Sequence, residues 1–155
     1  MGALTPLGNS VDESWQAALA GRSGIGRISH FDASDLPCQI AGEVKNFQPR
    51  DFMGGKIARR MSRAAQLAVA ALRLAQRDAG LPDHVSDPEN VGVSMGVAIG
   101  GFDVSSRALN TYWKRGWTKV SPFAVAATLP NMVTHHVSLE AQTFGPIVTQ
   151  VAACA

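Results

Sequence analysis

The residue of this chain best suited to chemistry is Cys154, which follows an apolar run that begins at Pro146. The β-branched and small residues of that run predict a buried β-strand that is covered on both faces. In α/β folds, reactive groups usually lie just beyond the carboxyl end of such a strand. A thiol at the start of a following helix would ionise more easily, because it lies at the positive end of the helix dipole. Composition alone favours a buried structural thiol, and a nucleophile is the alternative.

A group of basic residues forms a second candidate site. Lys56, Arg59, Arg60 and Arg63 follow the i, i+3, i+4, i+7 spacing that places side chains on one face of a helix. An alanine-rich apolar stripe predicts that this helix runs without a break over residues 56–79. The basic face is either a solvated helix surface or a docking surface for an acidic partner.

The sequence predicts neither a nucleotide site nor a metal site. Gly92, Gly96 and Gly100 recur every four residues, which matches neither the dinucleotide fingerprint nor the P-loop. These glycines instead indicate close backbone packing and a tight turn. His135 and His136 are adjacent, so on a helix their side chains point about 100° apart and cannot form an i, i+4 metal pair. We interpret both as structural histidines.

Composition and charge limit the classes of partner. The chain has 155 residues, of which 46% are hydrophobic and 17% are charged, and its net charge is +2. This balance gives no general attraction to nucleic acid or to membranes. The aromatic cluster of Tyr112, Trp113 and Trp117 is therefore interpreted as core or subunit packing rather than as a platform for bases. With no apolar run near the roughly 20 residues of a membrane span and no secretory signal, we expect a cytoplasmic protein.

Helical and strand patterns define the remaining elements. A helix over residues 11–20 is predicted to begin at Ser10 with an S-x-x-E capping box and to anchor Trp15 in the core. Thr128 is the expected cap of a later helix. The other predicted elements are a short strand within residues 39–47, a strand over 91–95, a helix followed by a loop within 102–116 and a helix over 129–140.

Several sequence blocks, in order, resemble the N-terminal part of a β-ketoacyl-[acyl-carrier-protein] synthase, the elongating condensing enzyme of the type II group. The blocks are residues 4–9, Trp15 with 19–25, 31–32 with 41–44, 56–61, 92–101, 121–123, 131–132, and 145–146 leading to 153–154. The resemblance implies a thiolase-like α/β fold, a layered αβαβα structure built from two similar halves. On this comparison, residues 1–155 are a partial N-terminal domain, truncated at both ends and lacking the family's first strand.

The resemblance also implies roles for individual residues. Cys154 corresponds to the nucleophile that takes the acyl group. Lys56, Arg59 and Arg60 correspond to residues that dock the acidic acyl carrier protein, whereas Arg63 lies outside that match. The positions expected to border the acyl pocket are Ile99, Phe123, Ala124 and Val125.

The implied reaction needs acyl and malonyl thioesters and no metal or dissociable cofactor. The phosphopantetheine arm belongs to the acyl carrier protein, and the full-length enzyme is expected to be a homodimer. The family's catalytic histidines and lysine lie in the part of the family that this chain does not match. We therefore expect the isolated chain to be inactive and to leave a large apolar face uncovered.

Departures from the family pattern keep other interpretations open. Ala152 replaces a common threonine, Val97 and Ala98 replace a commoner Ser-Gly pair, and Ala124 stands where phenylalanine is common, which implies a wider pocket. A polyketide-type ketosynthase is one alternative. A non-catalytic fragment that binds carrier protein or a partner subunit is another. A chain-length factor would lack the cysteine that is present at position 154.

Overall fold

The computed structural model describes residues 1–152, and its first helix, α1, spans Val11–Leu19. The Ser10 side chain accepts a hydrogen bond from the Glu13 N–H at 3.1 Å. The Glu13 carboxylate accepts a hydrogen bond from the Asn9 N–H at 2.7 Å. The predicted capping box is therefore present, except that Glu13 bonds to the residue before Ser10 instead of to the N–H of Ser10 itself. Gly21 ends the helix with a φ of 63°, a conformation that glycine adopts without strain.

The buried face of α1 is not the predicted one. Ala17 is buried, whereas Trp15 is 60% exposed and Leu19 is 64% exposed. The prediction that Trp15 anchors the core is therefore wrong for the described residues, because the helix turns its Ala17 side inward.

The basic stretch forms two helices instead of one. Helix α2 spans Gly55–Ala58 and helix α3 spans Arg63–Asp78, so the prediction of a continuous helix over residues 56–79 is wrong. Ser62 has an extended backbone, and its hydroxyl accepts a hydrogen bond from the Ala65 N–H at 3.2 Å. A second helix start at this point interrupts the helical spacing of the basic residues.

The second half of the described chain contains three helices. They are α4 at Phe102–Arg115, α5 at Ala124–Thr128 and α6 at Asn131–Ala141. The helix predicted within residues 102–116 is confirmed, and it continues to Arg115, so it leaves almost none of that range to the predicted loop. Thr128 does not cap α6, because it ends α5 and its hydroxyl donates to the Val125 carbonyl at 2.7 Å.

The core lies between α3 and α6, which pack against each other. A half-buried ion pair supports this contact, with Nη2 of Arg73 on α3 at 2.6 Å from Oε1 of Glu140 on α6. The buried core residues are Met53, Ala58, Met61, Ala65, Val69, Val133 and Val137.

Two pairs of strands are present among residues 1–152. Strands β1 (Ile25–Arg27) and β2 (Ile40–Gly42) pair antiparallel, which confirms the short strand predicted within residues 39–47. Strands β3 (Val93–Gly96) and β4 (Ile147–Gln150) pair in parallel, and both were predicted. Helix α6 packs against this parallel pair.

Strand β4 is less buried than its sequence predicts. Ile147 is 48% exposed and Val148 is 45% exposed, and only Thr149 in this strand is half-buried. The prediction that the strand is covered on both faces is therefore wrong for the described residues, since α6 reaches only part of the strand.

Other apolar side chains are also exposed, as expected for an uncovered apolar face. Phe144 is 75% exposed, Trp113 is 74% exposed and Trp117 is 76% exposed, so the aromatic cluster does not pack in the core of the described chain. Within residues 1–152, none of the helices combines the length and the apolar character that crossing a membrane requires. The same residues contain no group of three or more histidine, cysteine or acidic side chains that could hold a metal ion.

Candidate functional site

The strand predicted to precede the candidate nucleophile is present. Strand β4 is parallel to β3 and ends at Gln150, four positions before Cys154 in the sequence. Cys154 itself lies outside the described residues, so its role stays a prediction. The other cysteine, Cys38, is exposed in a loop, and its thiol lies 3.6 Å from the Ile40 carbonyl oxygen.

The structure brings two of the predicted docking residues together with two predicted pocket residues. Arg59 and Arg60 follow α2, and Phe123 and Ala124 lie at the start of α5, yet all four line one cavity of about 240 Å³. The guanidinium carbon of Arg60 lies 4.3 Å from the centroid of the Phe123 ring, within cation–π range. A basic rim and an apolar wall thus meet in one groove.

Three predicted residues lie elsewhere. Lys56 is exposed on α2 and does not line this cavity. Ile99 is 67% exposed and Val125 is 77% exposed, whereas their neighbour Ala124 is 6% exposed. The predicted pocket residues therefore do not form one enclosed pocket within the described chain.

Two further cations line the groove that holds Arg59 and Arg60. Arg107 extends from α4, where its Nη2 lies 3.1 Å from Oδ2 of Asp103. Lys119 comes from a short 3₁₀ turn after α4. Sequence reasoning missed both, because they are distant along the chain from residues 56–60 and no local pattern links them.

Arg63 has a different role from its basic neighbours. Its guanidinium carbon lies 4.5 Å from the centroid of the Phe47 ring, and its Nη2 donates to the Val44 carbonyl at 3.4 Å. Burial lowers the pKa of Arg63, and the Asp103 carboxylate acts in the opposite direction. Arg63 thus faces the loop before α2, and it also lines a second cavity together with Arg59 and Arg107.

The adjacent histidines show no metal-binding geometry. The ring centroids of His135 and His136 lie 5.3 Å apart, and Nδ1 of His136 is buried with no hydrogen-bond partner among the described residues. Burial lowers the pKa of His136, the neighbouring His135 adds to that effect, and Glu140 opposes it. A neutral, structural His136 fits this environment.

Comparison with protein families gives a match over the whole chain. The family model described as the N-terminal domain of β-ketoacyl synthase matches residues 1–155. The 3-oxoacyl-[acyl-carrier-protein] synthase 2 of Staphylococcus aureus is 39% identical over 155 residues. That alignment covers 100% of this chain but 38% of the relative, so the chain spans less than two fifths of the relative's length.

Solved structures share the same arrangement. The ishigamide ketosynthase/chain length factor superposes with a TM-score of 0.90 at 26% identity, covering 99% of this chain and 39% of that chain. A type II PKS ketosynthase, solved in complex with its acyl-carrier protein, gives a TM-score of 0.73 at 17% identity. It covers 94% of this chain and 38% of that chain, and at this identity it supports the fold alone.

Proposed function

Because the chain belongs to the family of β-ketoacyl synthase N-terminal domains, we propose that the protein that carries it is a 3-oxoacyl-[acyl-carrier-protein] synthase of fatty-acid elongation. The observation that carries this proposal is the 39% identity, over all 155 residues, to a relative with that name. The predicted thiolase-like α/β fold is confirmed by the superposition on a ketosynthase. Residues 1–155 are proposed to be most of the first half of that fold.

Cys154 is proposed to begin the reaction as a nucleophile. Its thiolate attacks the carbonyl carbon of an acyl thioester on acyl carrier protein, and the carrier's thiolate leaves with the electron pair and takes up a proton. The acyl group is then bound to the Cys154 sulfur. Backbone N–H groups near the cysteine are proposed to stabilise the oxyanion of the tetrahedral intermediate.

The second thioester supplies the two added carbons. Malonyl-[acyl-carrier-protein] loses CO₂, and the resulting enolate carbon attacks the carbonyl of the acyl-cysteine. The Cys154 thiolate is expelled, and the product is a 3-oxoacyl thioester that is longer by two carbons. Phosphopantetheine enters only as the arm of the carrier protein, so the proposal assigns no cofactor to this chain.

We propose the basic groove as the docking surface for the acidic carrier protein, and Lys56, on the short helix α2 that precedes Arg59 in the chain, as a further docking residue. The support is the charge of the groove, since Arg59 and Arg60 lie on it together with Arg107 and Lys119. Association between such surfaces is driven by complementary charge and weakens as salt screens it.

A pair of charge reversals tests the docking surface. We expect Arg59→Glu with Arg60→Glu to weaken carrier-protein binding by about tenfold or more at low salt and to reduce its salt dependence. Arg22→Glu with Arg77→Glu is the matched control, because it makes the same change in charge and both residues are exposed away from the groove. Equal loss of affinity in the two double variants would contradict a specific surface.

We propose that Ile99, Phe123, Ala124 and Val125 border the acyl chain in the complete protein. The support is the small, buried Ala124, which forms the apolar wall of the groove together with Ala127. Ala124→Phe is expected to lower activity on long acyl chains more than on short ones. Ala126→Phe, at an exposed position of the same helix, is the control.

A condensation assay tests the function itself. The complete protein is expected to convert acyl and malonyl thioesters of carrier protein into one 3-oxoacyl product, and residues 1–155 alone are expected to show no turnover. A second candidate is a polyketide-type ketosynthase, favoured by the superposition on the ishigamide ketosynthase/chain length factor. Several successive condensations before release would support that candidate over a single elongation.

We also propose that the complete protein is a cytoplasmic homodimer. The support is the exposed aromatic surface of Tyr112, Trp113 and Trp117, because large uncovered apolar patches mark interaction surfaces. Light scattering of the complete protein is expected to give twice the mass of one subunit. A monomer at micromolar concentration would contradict this part of the proposal.

A further inference from the structure

The basic groove is built by residues from separate elements of the fold. Arg59 and Arg60 follow helix α2, and Arg107 extends from α4. Lys119 comes from the 3₁₀ turn after α4, and Ser121 lines the same groove from the loop before α5. Positive side chains from three parts of the chain therefore converge on one concavity of about 240 Å³.

The positive charge of this groove is only partly balanced by acidic groups. Among residues 1–152, no aspartate or glutamate lines the groove. Arg107 pairs with Asp103, which lines the second cavity instead. Within the described part of the chain, Arg59, Arg60 and Lys119 form no ion pair. Like charges that converge on a cleft repel each other and concentrate a positive potential there, so the groove attracts an anion.

Other side chains give the groove a hydrogen-bond donor and an apolar wall. The Ser121 hydroxyl accepts a hydrogen bond from the Phe123 N–H at 3.3 Å, so its own hydrogen stays available to donate. The Arg60 guanidinium is held over the Phe123 ring at the edge of the groove. Ala124 and Ala127 are buried and form the apolar wall. Charge-assisted hydrogen bonds are strong, and a wall that excludes water strengthens them further.

We propose that the groove binds a free phosphoanion of about the size of inorganic diphosphate. Arginine matches phosphate oxygens with two parallel hydrogen bonds, and lysine adds a compact positive charge. The volume of the groove lies below the roughly 300–1,000 Å³ of pockets for drug-sized ligands, so it suits a phosphate group rather than a whole nucleotide. Since the same arginines are proposed to dock the carrier protein, the anion competes with docking. This competition rests on the proposed function, whereas binding of the anion does not.

Calorimetric titration of the complete protein with inorganic diphosphate tests the binding, with sodium chloride at the same ionic strength as the reference. We expect a single diphosphate per subunit. Arg107→Gln with Lys119→Gln should weaken its binding about tenfold or more, because two charged donors are lost. Lys114→Gln with Arg115→Gln is the matched control, since it removes the same charge at exposed positions of α4 that do not line the groove.

A substitution without a change in charge separates a shaped site from general attraction. Ser121→Ala removes the donor hydroxyl and is expected to weaken diphosphate binding about fivefold. Ser121→Thr keeps the hydroxyl and should restore the affinity to within about twofold of the wild type. Unchanged affinity in a folded Ser121→Ala variant, or an equal loss in the Lys114 and Arg115 control, would show attraction by charge alone and would overturn the site.

Carrier-protein binding with and without diphosphate distinguishes this inference from the proposed function. At constant ionic strength, diphosphate at about ten times its dissociation constant should weaken carrier binding about tenfold, as expected for ligands that share a site. If Arg59→Glu with Arg60→Glu abolishes carrier binding but the wild type does not bind diphosphate, the docking surface stands and the inference fails. If diphosphate binds and neither it nor that double variant affects the carrier, the anion site stands and the docking surface fails.

Discussion

At the scale of single residues, Arg63 and Arg60 make the same kind of contact in different surroundings. The Arg63 guanidinium lies over Phe47, a buried side chain in the loop before α2. The Arg60 guanidinium lies over Phe123, which is 46% exposed at the edge of the groove. An arginine over a buried ring supports the fold, and one beside an open groove stays available to an anionic partner.

Arg63→Ala should therefore affect stability rather than docking. We expect a loss of about 1 kcal/mol in the free energy of unfolding, because both the cation–π contact and the hydrogen bond to the Val44 carbonyl disappear. Urea denaturation measures the loss, with Arg77→Ala as the exposed control. Carrier-protein binding should be unchanged, and a tenfold loss of affinity with normal stability would contradict this assignment.

His136 should make stability depend on pH below neutrality. Burial holds the pKa of His136 in the folded protein below its ordinary value. At a pH between the folded and the unfolded pKa values, His136 is therefore protonated more often in the unfolded chain than in the folded chain. His136 therefore does not reduce the free energy of unfolding above about pH 6.5. As the pH falls from about 6.5 toward the lower pKa of the folded state, that free energy decreases.

Substitution of His136 should remove this component of the pH dependence. Denaturation of His136→Gln at pH 5 and pH 7 is expected to show a smaller difference than the wild type, with His84→Gln, at an exposed position, as the control. The pKa values of Asp32 and Glu43 are also lowered, and these two carboxylates influence stability only below about pH 4.5, outside the range of this test. An unchanged difference in His136→Gln would show that other groups control stability between pH 5 and 7.

At the scale of elements, the close contact of α4 with α5 depends on Gly101. A β-carbon at this position would lie about 2 Å from the carbonyl oxygen of Ala127, which is far inside van der Waals contact. The sequence indicated close backbone packing at Gly92, Gly96 and Gly100, and the structure confirms it at Gly92 and Gly100 and shows it also at the adjacent Gly101. Gly96, in the same stretch, has no atom within 4 Å of its corresponding position.

This difference gives a matched pair of substitutions. Gly101→Ala should lower the free energy of unfolding by about 2 kcal/mol, because backbone must move to admit the methyl group. Gly96→Ala should change it by less than about 0.5 kcal/mol. Thermal denaturation of the two variants measures both values, and equal effects would show that the packing at Gly101 can adjust.

Local patterns predicted most elements but not where a helix stops. The capping box at Ser10, both parallel strands and α4 follow from short-range signals that the structure retains. The break before α3 was missed because the alanine-rich stripe continues through it. Ser62 was the available signal, since a serine whose hydroxyl can cap a new helix competes with continuing the old one.

At the scale of the whole molecule, burial could not be predicted from the sequence. An apolar pattern shows which side chains can be covered, whereas the covering element can be distant in the chain or belong to another part of the protein. Ile147 and Trp15 carry core-like patterns yet are exposed among the described residues. The sequence did not predict the groove either. Arg107 and Arg59 are far apart in the chain and come to line one cavity only because of the way α4 packs.

Isolated residues 1–155 should therefore behave as a protein with uncovered apolar surface. We expect them to bind a hydrophobic dye such as anilinonaphthalene sulfonate more strongly, per mole of chain, than the complete protein does. Fluorescence titration of both proteins at equal molar concentration tests this. Equal binding would mean that the exposed apolar side chains remain uncovered in the complete protein.

The proposed reaction requires that Cys154 accept the acyl group. The most direct test incubates the complete protein with acyl-[acyl-carrier-protein], without malonyl thioester, and measures its intact mass. We expect the mass to increase by one acyl group per chain, at Cys154, and this increase should be lost in Cys154→Ala and retained in Cys38→Ala. No mass increase, or an increase that persists in Cys154→Ala, would show that Cys154 is not the acyl acceptor.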